Sequence, residues 1–186
     1  MVIFDKIKNK FYKKEKQNYL YFGMGAEIID EDSLHYKDKI YIGDYVYIGG
    51  GSNIWAIGGL VIGEGTIIGP RITIHTSNHA YDEGGYLPYG DISYLQSVSI
   101  GKYVWIGDNV MICPGSTIGE GAIIGMGSVV SGEVPECAVA VGNPVRVIKY
   151  RDKNKYAELK DSGSIYLRAK EAGDINHFFC EKGQLN

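Results

Sequence analysis

Two histidines, His75 and His79, stand four residues apart at the head of a polar and aromatic run, HTSNHAYDEGGYLPYGD. Imidazole has an ordinary pKa of about 6.5, so near neutral pH it can take a proton from a hydroxyl and give it back. Asp82, three residues on, is a carboxylate able to orient such a ring, although carboxylates on loops are ordinarily just solvated. Tyr81, Tyr86, Tyr89 and Tyr94 can stack on a pyranose ring or simply pack the loop down. Further along, Arg146 and Lys149 follow Gly142-Asn143-Pro144 and carry charge suited to phosphates. Two basic residues late in a chain are otherwise a solvated face. A loop histidine is equally well explained by a bond to neighbouring backbone, so the elements that hold it decide its meaning.

Those elements are written in units of six. Ile100, Ile106, Ile112, Ile118, Ile124 and Val130 recur at that interval, each followed by a small residue: Gly101, Gly107, Cys113, Gly119, Gly125, Ser131. Four places after each comes Val104, Val110, Ser116, Ala122, Ser128 or Val134, all small or β-branched. A fixed short period marks a solenoid. Six matches neither the helical period nor plain strand alternation; it fits short strands joined by bends, with every side sending its aliphatic residue inward. Asn109, Gly115, Gly121 and Gly127 stand at the bends, and those types tolerate the positive φ that bends require. The expectation is an all-β solenoid, a parallel β-helix whose coils bury a ladder of Ile and pair edge to edge.

Along the chain, residues 1–18 read as a helix with Ile3, Phe4, Ile7 and Phe11 on one face and lysines around it. Such a helix either covers the open edge of the first coil or rests on an anionic membrane through residues 1–16. The repeat begins irregularly at Phe22, is interrupted by polar residues 30–39, and locks in at Ile42, Ile48 and Ile54. Two extra residues in WAIGGLV shift its register before Ile62, Ile68 and Ile74. A gap of 26 residues then separates Ile74 from Ile100. That is no multiple of six, so part of the span, about 75–99, leaves the coil, and such excursions usually carry function. Regular repeats end near Val134. Residues 150–186 form a C-terminal extension with a helix expected over Tyr156 to Ala172. The domain reading is therefore 1–18, 19–149 and 150–186.

The repeat resembles the hexapeptide-repeat acyltransferases, and that resemblance, covering about Phe22 to Lys149, implies a left-handed β-helix of triangular section. Asn78-His79-Ala80-Tyr81-Asp82 resembles the catalytic segment of the galactoside, maltose and xenobiotic acetyltransferases. It implies His79 as general base on an acceptor hydroxyl, whose oxygen attacks the thioester of acetyl-CoA directly, without an acyl-enzyme. Asn53, Asn78, Tyr81 and Asp82 are then the acceptor-binding candidates. Tyr103-Val104-Trp105-Ile106-Gly107 resembles the segment where the coil resumes, with Trp105 beside the donor. Carried over by position, donor contacts fall on Asp108, Met126, Ser131, Gly132, Arg146 and Lys149, the last two within GNPVRVIK, which is similar to the family's C-terminal signature. Met126 departs from a usual Ala and Gly132 from a common Lys; backbone contacts survive those changes, a lysine–phosphate contact does not. The resemblance further implies a homotrimer whose active sites lie in clefts between neighbouring β-helices.

The function expected is O-acetylation of a sugar hydroxyl in surface-polysaccharide or glycoconjugate synthesis. N-acetylation of a nucleotide-linked amino sugar and acetylation of a xenobiotic are the alternatives. A carbonic anhydrase of the gamma type shares the β-helix but needs three converging histidines, and His35 and His177 lie in the irregular early segment and beyond the repeat. Net charge of −3 with no basic stripe after the first helix argues against nucleic acid. No apolar run reaches eighteen residues, no leader pattern opens the chain, and Cys113, Cys137 and Cys180 form neither a disulfide framework nor a metal motif. A cytoplasmic protein is the expectation.

Overall fold

The computed structural model describes residues 18–175. The helix expected at residues 1–18 lies outside them except for Asn18, as does the tail beyond residue 175. Each unit of six forms one side of a three-sided coil. The first coil holds β1 (Tyr21–Phe22), β2 (Glu27–Ile28) and β3 (Leu34–His35), and the second β4 (Ile40–Ile42), β5 (Tyr47–Ile48) and β6 (Asn53–Trp55). The third is β7 (Leu60–Ile62), β8 (Ile67–Ile68) and β9 (Thr73–His75), after which an excursion carries β10 (Ser77–His79) and β11 (Ser93–Leu95). The coil resumes with β12 (Val98–Ile100), β13 (Trp105–Ile106) and β14 (Met111–Ile112), then β15 (Thr117–Ile118), β16 (Ile123–Ile124) and β17 (Val129–Val130). The last turn has β18 (Glu133–Val134) and β19 (Ala138–Val141), and β20 (Arg146–Tyr150) folds back antiparallel on β19.

Stacking the coils produces three parallel sheets. Face A is β1-β4-β7-β12-β15-β18, face B is β2-β5-β8-β13-β16-β19-β20, and face C is β3-β6-β9-β14-β17. Register is fixed aliphatic on aliphatic. Ile42, Ile62, Ile100, Ile118 and Val134 lie in line on face A, and Leu34, Ile54, Ile74, Ile112 and Val130 on face C. All are buried, at about 1.5–3 kcal/mol for each such side chain withdrawn from water. Asn109, Gly115, Gly121 and Gly127 have the positive φ their types suggested, and Tyr45, Arg71, Tyr103 and Cys137 adopt it at equivalent bends.

The three corners are not equivalent. From face A to B and from B to C, consecutive inward residues are always six apart. From C to A the step is eight residues (Leu34 to Ile42, and Ile54 to Ile62), twenty-six (Ile74 to Ile100), six (Ile112 to Ile118) and four (Val130 to Val134). The cause is steric. At the six-residue corners the residue after each inward aliphatic is glycine, except at Val141 and Pro135 in the last turn and at Ile29 in the first. A Cβ added at Gly63 would stand 2.6 Å from the backbone of Gly101 and Lys102 in the next coil. On face C the same place holds His35, Trp55, His75, Cys113 and Ser131. That corner is free to vary, and the excursion leaves from it.

The excursion is rooted, not loose. Thr76 is fully buried; its hydroxyl donates to the Trp55 carbonyl at 2.9 Å and accepts from the Gly58 amide at 2.7 Å. β10 and β11 then pair antiparallel, with Ser77 opposite Leu95, Asn78 opposite Tyr94 and His79 opposite Ser93. The amide of buried Ala80 adds a hydrogen bond, donating to the Ile92 carbonyl at 3.0 Å.

Three expectations change. The polar stretch 30–39 does not interrupt the coil, because β3 sits between two short 3₁₀ turns within it. The solenoid runs past Val134: the four-residue corner puts Val134 at the inward place of face A, and β19 supplies another side on face B. The single C-terminal helix is two, α1 (Lys153–Asp161) and α2 (Tyr166–Ala172), broken around Gly163, whose φ of 65° ends the first. Asp152 caps α1 by accepting from the amides of Asn154 and Lys155. The pair descends the A–B corner: Tyr156 packs at Gly121 and donates to Glu120, Lys160 pairs with Glu120 at 2.6 Å, and Arg168 lies over Tyr45. Burial alone would raise the Glu120 carboxyl, but hydrogen bonds from Lys160 and Tyr156 outweigh it and hold the group below its ordinary value. No helix among the described residues is long and apolar enough to cross a membrane.

Replacing Gly63 with Ala should destabilise the protein by roughly 1–3 kcal/mol, read from urea unfolding, while Ser131→Ala at the open corner should stay within about 0.5 kcal/mol of the parent. Thr76→Val should cost about 1–3 kcal/mol by stranding the Gly58 amide, while the Trp55 carbonyl keeps its bond from the Thr76 amide, and hydrogen exchange at the root of the excursion should rise more than exchange in β15 and β16.

Candidate active site

Pairing in β10 and β11 sets His79 in the open, on the excursion and against two side chains. The Tyr89 ring lies over the imidazole with centroids 3.8 Å apart and planes 11° from parallel. Ser93, directly opposite across the hairpin, brings its Oγ to 3.4 Å from Nδ1. Behind the ring, the His79 amide donates to Asn78 Oδ1 at 3.0 Å, which fixes the local backbone. Among the described residues Tyr89 and Ser93 engage the imidazole, while Tyr81 and Asp82, next along the chain, are exposed. Neither Tyr89 nor Ser93 has a periodic signal; only strand pairing marks Ser93, at a distance that no spacing rule gives.

The other candidates fall into two groups. Ser131 and Gly132 are exposed at the C–A corner, the same corner as the excursion and above it. Trp105, Ile123, Val139 and Lys149 form one outward column on face B. With strands about 4.8 Å apart, Trp105 and Lys149 lie about 14 Å from one another along it. Trp105 is 57% exposed and floors a cleft of about 170 Å³ between face B and α1–α2, with Ile67, Tyr103, Leu159 and Tyr166. Asp108 and Met126 stand on consecutive coils at the B–C corner, where the Gly127 amide donates to the Asp108 carbonyl. Arg71, from the coil below, pairs with Asp108 at 3.1 Å and donates from Nε to Asn109 at 3.1 Å. Sequence reasoning passed over Arg71; its place at the fourth position of a unit was the available signal. Arg146 is exposed on β20 and donates to the Val145 carbonyl.

One chain therefore gathers His79, Asn78, Tyr81, Asp82, Ser131 and Gly132 along the C–A corner, and Trp105, Asp108, Met126, Arg146 and Lys149 along face B and its edge. It does not bring the two groups together. Asn53 is exposed on face C, in line with Thr73 and Met111. His75 lies above Trp55, which in turn packs against His35 with centroids 4.3 Å apart and planes tilted by 32°. His35 and His75 are thus held apart by an indole, and among the described residues no cluster of three or more His, Cys, Asp or Glu is placed to hold a metal.

Comparison with known proteins agrees with this architecture. The family model for the bacterial transferase hexapeptide (six repeats) matches residues 97–132. The galactoside O-acetyltransferase of Escherichia coli K12 is 32% identical over 151 residues, 78% of this chain and 71% of that one. A putative lipopolysaccharide biosynthesis O-acetyl transferase, WbbJ, from the same strain is 32% identical over 144 residues, 73% of this chain and 70% of that one. Two relatives of higher identity, 40% and 41%, are spanned over only 57% and 65% of their own length. A hexapeptide-repeat acetyltransferase of Vibrio cholerae, solved with acetyl coenzyme A, superposes with a TM-score of 0.69 at 24% identity over 78% of this chain and 79% of that one, a likeness of fold. Because the repeat, the extruded histidine hairpin and 32% identity over more than two thirds of two acetyltransferases coincide in one sequence, the chain belongs to the hexapeptide-repeat acetyltransferase family.

Proposed function

We propose that this protein transfers the acetyl group of acetyl-CoA to a sugar hydroxyl, in the cytoplasm and in the synthesis of a surface polysaccharide or glycoconjugate, with His79 as general base. The observation that carries the reading is the presentation of His79: an exposed imidazole, held on both sides, on the largest excursion of an otherwise regular coil. His79 takes the proton of the acceptor hydroxyl as its oxygen attacks the acetyl carbonyl, then returns that proton to the departing thiolate. No residue is acylated on the way. Asn78, Tyr81 and Asp82 flank the base and serve the acceptor, with Asn53 one coil lower.

Trp105, Asp108, Met126, Arg146 and Lys149 offer the donor an aromatic wall and positive charge along face B, and Ser131 and Gly132 offer exposed polar backbone at the C–A corner. Direct transfer requires base and donor within contact, and one chain keeps the base and the aromatic and charged donor groups of face B on different edges. A second copy whose face B lies against this hairpin supplies the missing half, which is the reason to propose a homotrimer. Leu87 at 96% and Tyr86 at 73% exposure give the hairpin an apolar tip for that contact. The O-acetyltransferases similar to this chain, one of them in lipopolysaccharide synthesis by its description, favour a carbohydrate hydroxyl over an amine.

The test is thiol release from acetyl-CoA against simple glycosides, nucleotide amino sugars, small antibiotic alcohols and polysaccharide fragments. Release should depend on a sugar hydroxyl and fall by about 10²–10⁴-fold in His79→Ala, with acetyl-CoA binding retained by calorimetry; undiminished turnover in that variant would remove His79 as base. Replacing Arg146 and Lys149 together with Ala should weaken coenzyme A binding more than that of its 3′-dephospho analogue. Equal weakening of both ligands would argue against contact at that phosphate.

A further inference from the structure

We infer that Tyr89 and Ser93 are positioning residues for His79, Ser93 selecting the tautomer whose Nε2 is free to take a proton and Tyr89 fixing the plane of the ring. The inference rests on the reading of His79 as base.

A neutral imidazole carries one N–H, and the bond made by one nitrogen decides which nitrogen that is. If Nδ1–H donates to Ser93 Oγ, Nε2 presents a lone pair to the acceptor. If the Ser93 hydroxyl donated to Nδ1 instead, the proton would sit on Nε2 and the ring could accept nothing there. A base at this position therefore needs Ser93 as acceptor. The hairpin register places Ser93 directly opposite His79, and opposed residues in an antiparallel pair approach within about 4.5–5.5 Å, so the contact is built into the backbone. The observed 3.4 Å is long for such a bond, and contacts of this kind shorten when substrate closes the site.

Tyr89 supplies the second constraint. Its ring covers one face of the imidazole at 3.8 Å and 11°, so rotation of the histidine about χ2 would break the stack. The electron-rich face of a phenol ring also favours a cation laid against it, which is the state of His79 once it has taken the proton. Both partners come from the segment between β10 and the end of β11, and buried Ala80 with its amide hydrogen bond to Ile92 ties that segment down beside the base. The carboxylates of the excursion, Asp82, Glu83 and Asp91, are exposed, and Glu83 lies near enough to Tyr94 to raise its phenol. Among the described residues none of them is hydrogen-bonded to or ion-paired with the ring, and the two groups that hold it are uncharged.

The experiment is long-range ¹⁵N–¹H correlation on histidine-labelled full-length protein at a pH where the ring is neutral. The chain's four histidines are assigned by loss of one signal in His79→Ala. His79 should show Nδ1 protonated and Nε2 bare. In Ser93→Ala the pattern should move to Nε2–H, with kcat lowered about tenfold and the KM for acetyl-CoA unchanged. Tyr89→Leu should lower kcat by a similar factor, and Tyr89→Phe, which keeps the ring, should restore it. An Nε2–H tautomer in the unaltered protein, or a tautomer indifferent to loss of Ser93, overturns the assignment for Ser93; equal kcat in Tyr89→Leu and Tyr89→Phe overturns it for Tyr89. The tautomer is read without turnover, so failure here is distinct from failure of His79 as base, which the His79→Ala rate decides.

Discussion

Coil stacks on coil at strand spacing, about 4.8 Å, and almost everything else in this protein follows from that. At so short a repeat the bends of neighbouring coils meet backbone to backbone. Gly43, Gly63 and Gly101 on one corner and Gly49, Gly69 and Gly107 on another leave no room for a Cβ. Each also donates its amide to the carbonyl of the inward residue in the next coil, as Gly63 does to Ile100 at 2.8 Å. These two corners cannot change length without breaking a contact above and one below. Face C ends in side chains instead of glycine, and its corner takes every insertion and deletion in the solenoid.

That asymmetry explains where chemistry can be added. The excursion of the third coil costs the ladder nothing, because Ile62, Ile100 and Ile118 stack in register as though the intervening residues were absent. Its root is tied to the coil, with Thr76 bonded to the turn below and β10 paired to β11. A histidine on such a platform is exposed to a partner molecule and still held to a narrow orientation, a combination a free loop does not provide. The opposite corner is closed by α1 and α2. Tyr156, Lys160 and Glu120 fasten the helices to the upper coils, and Arg168 reaches Tyr45 in the second. The prism thus has one edge stiffened, one edge carrying the Arg71–Asp108 pair, and one edge bearing the His79 hairpin.

Much of this was legible in the residues. The inward ladder, the small residue after each aliphatic and the bend residues of positive φ were all visible from period and type, because in a repeat each side chain's environment is set by its own unit and the next. His79 stood out as a candidate base through its resemblance to a known segment, and as an anomaly through the twenty-six-residue gap. The departures have equally local causes. Val134 looked like the small or β-branched residue four places after Val130 and is an inward one, since a corner two residues short restarts the count. Gly163 divided what reads as a single helix.

What the sequence by itself determined is the solenoid, its inward face and the point at which a segment must leave it. All of these depend on spacing along the chain. Tertiary structure alone decided that every irregularity falls on one corner, that Arg71 answers Asp108 thirty-seven residues away, that Trp105 faces the C-terminal helices, and that Tyr89 and Ser93 hold the imidazole. Those contacts join residues with no common period. They arise from the closing of coils and the pairing of a hairpin, and only the folded chain brings such residues within reach of one another.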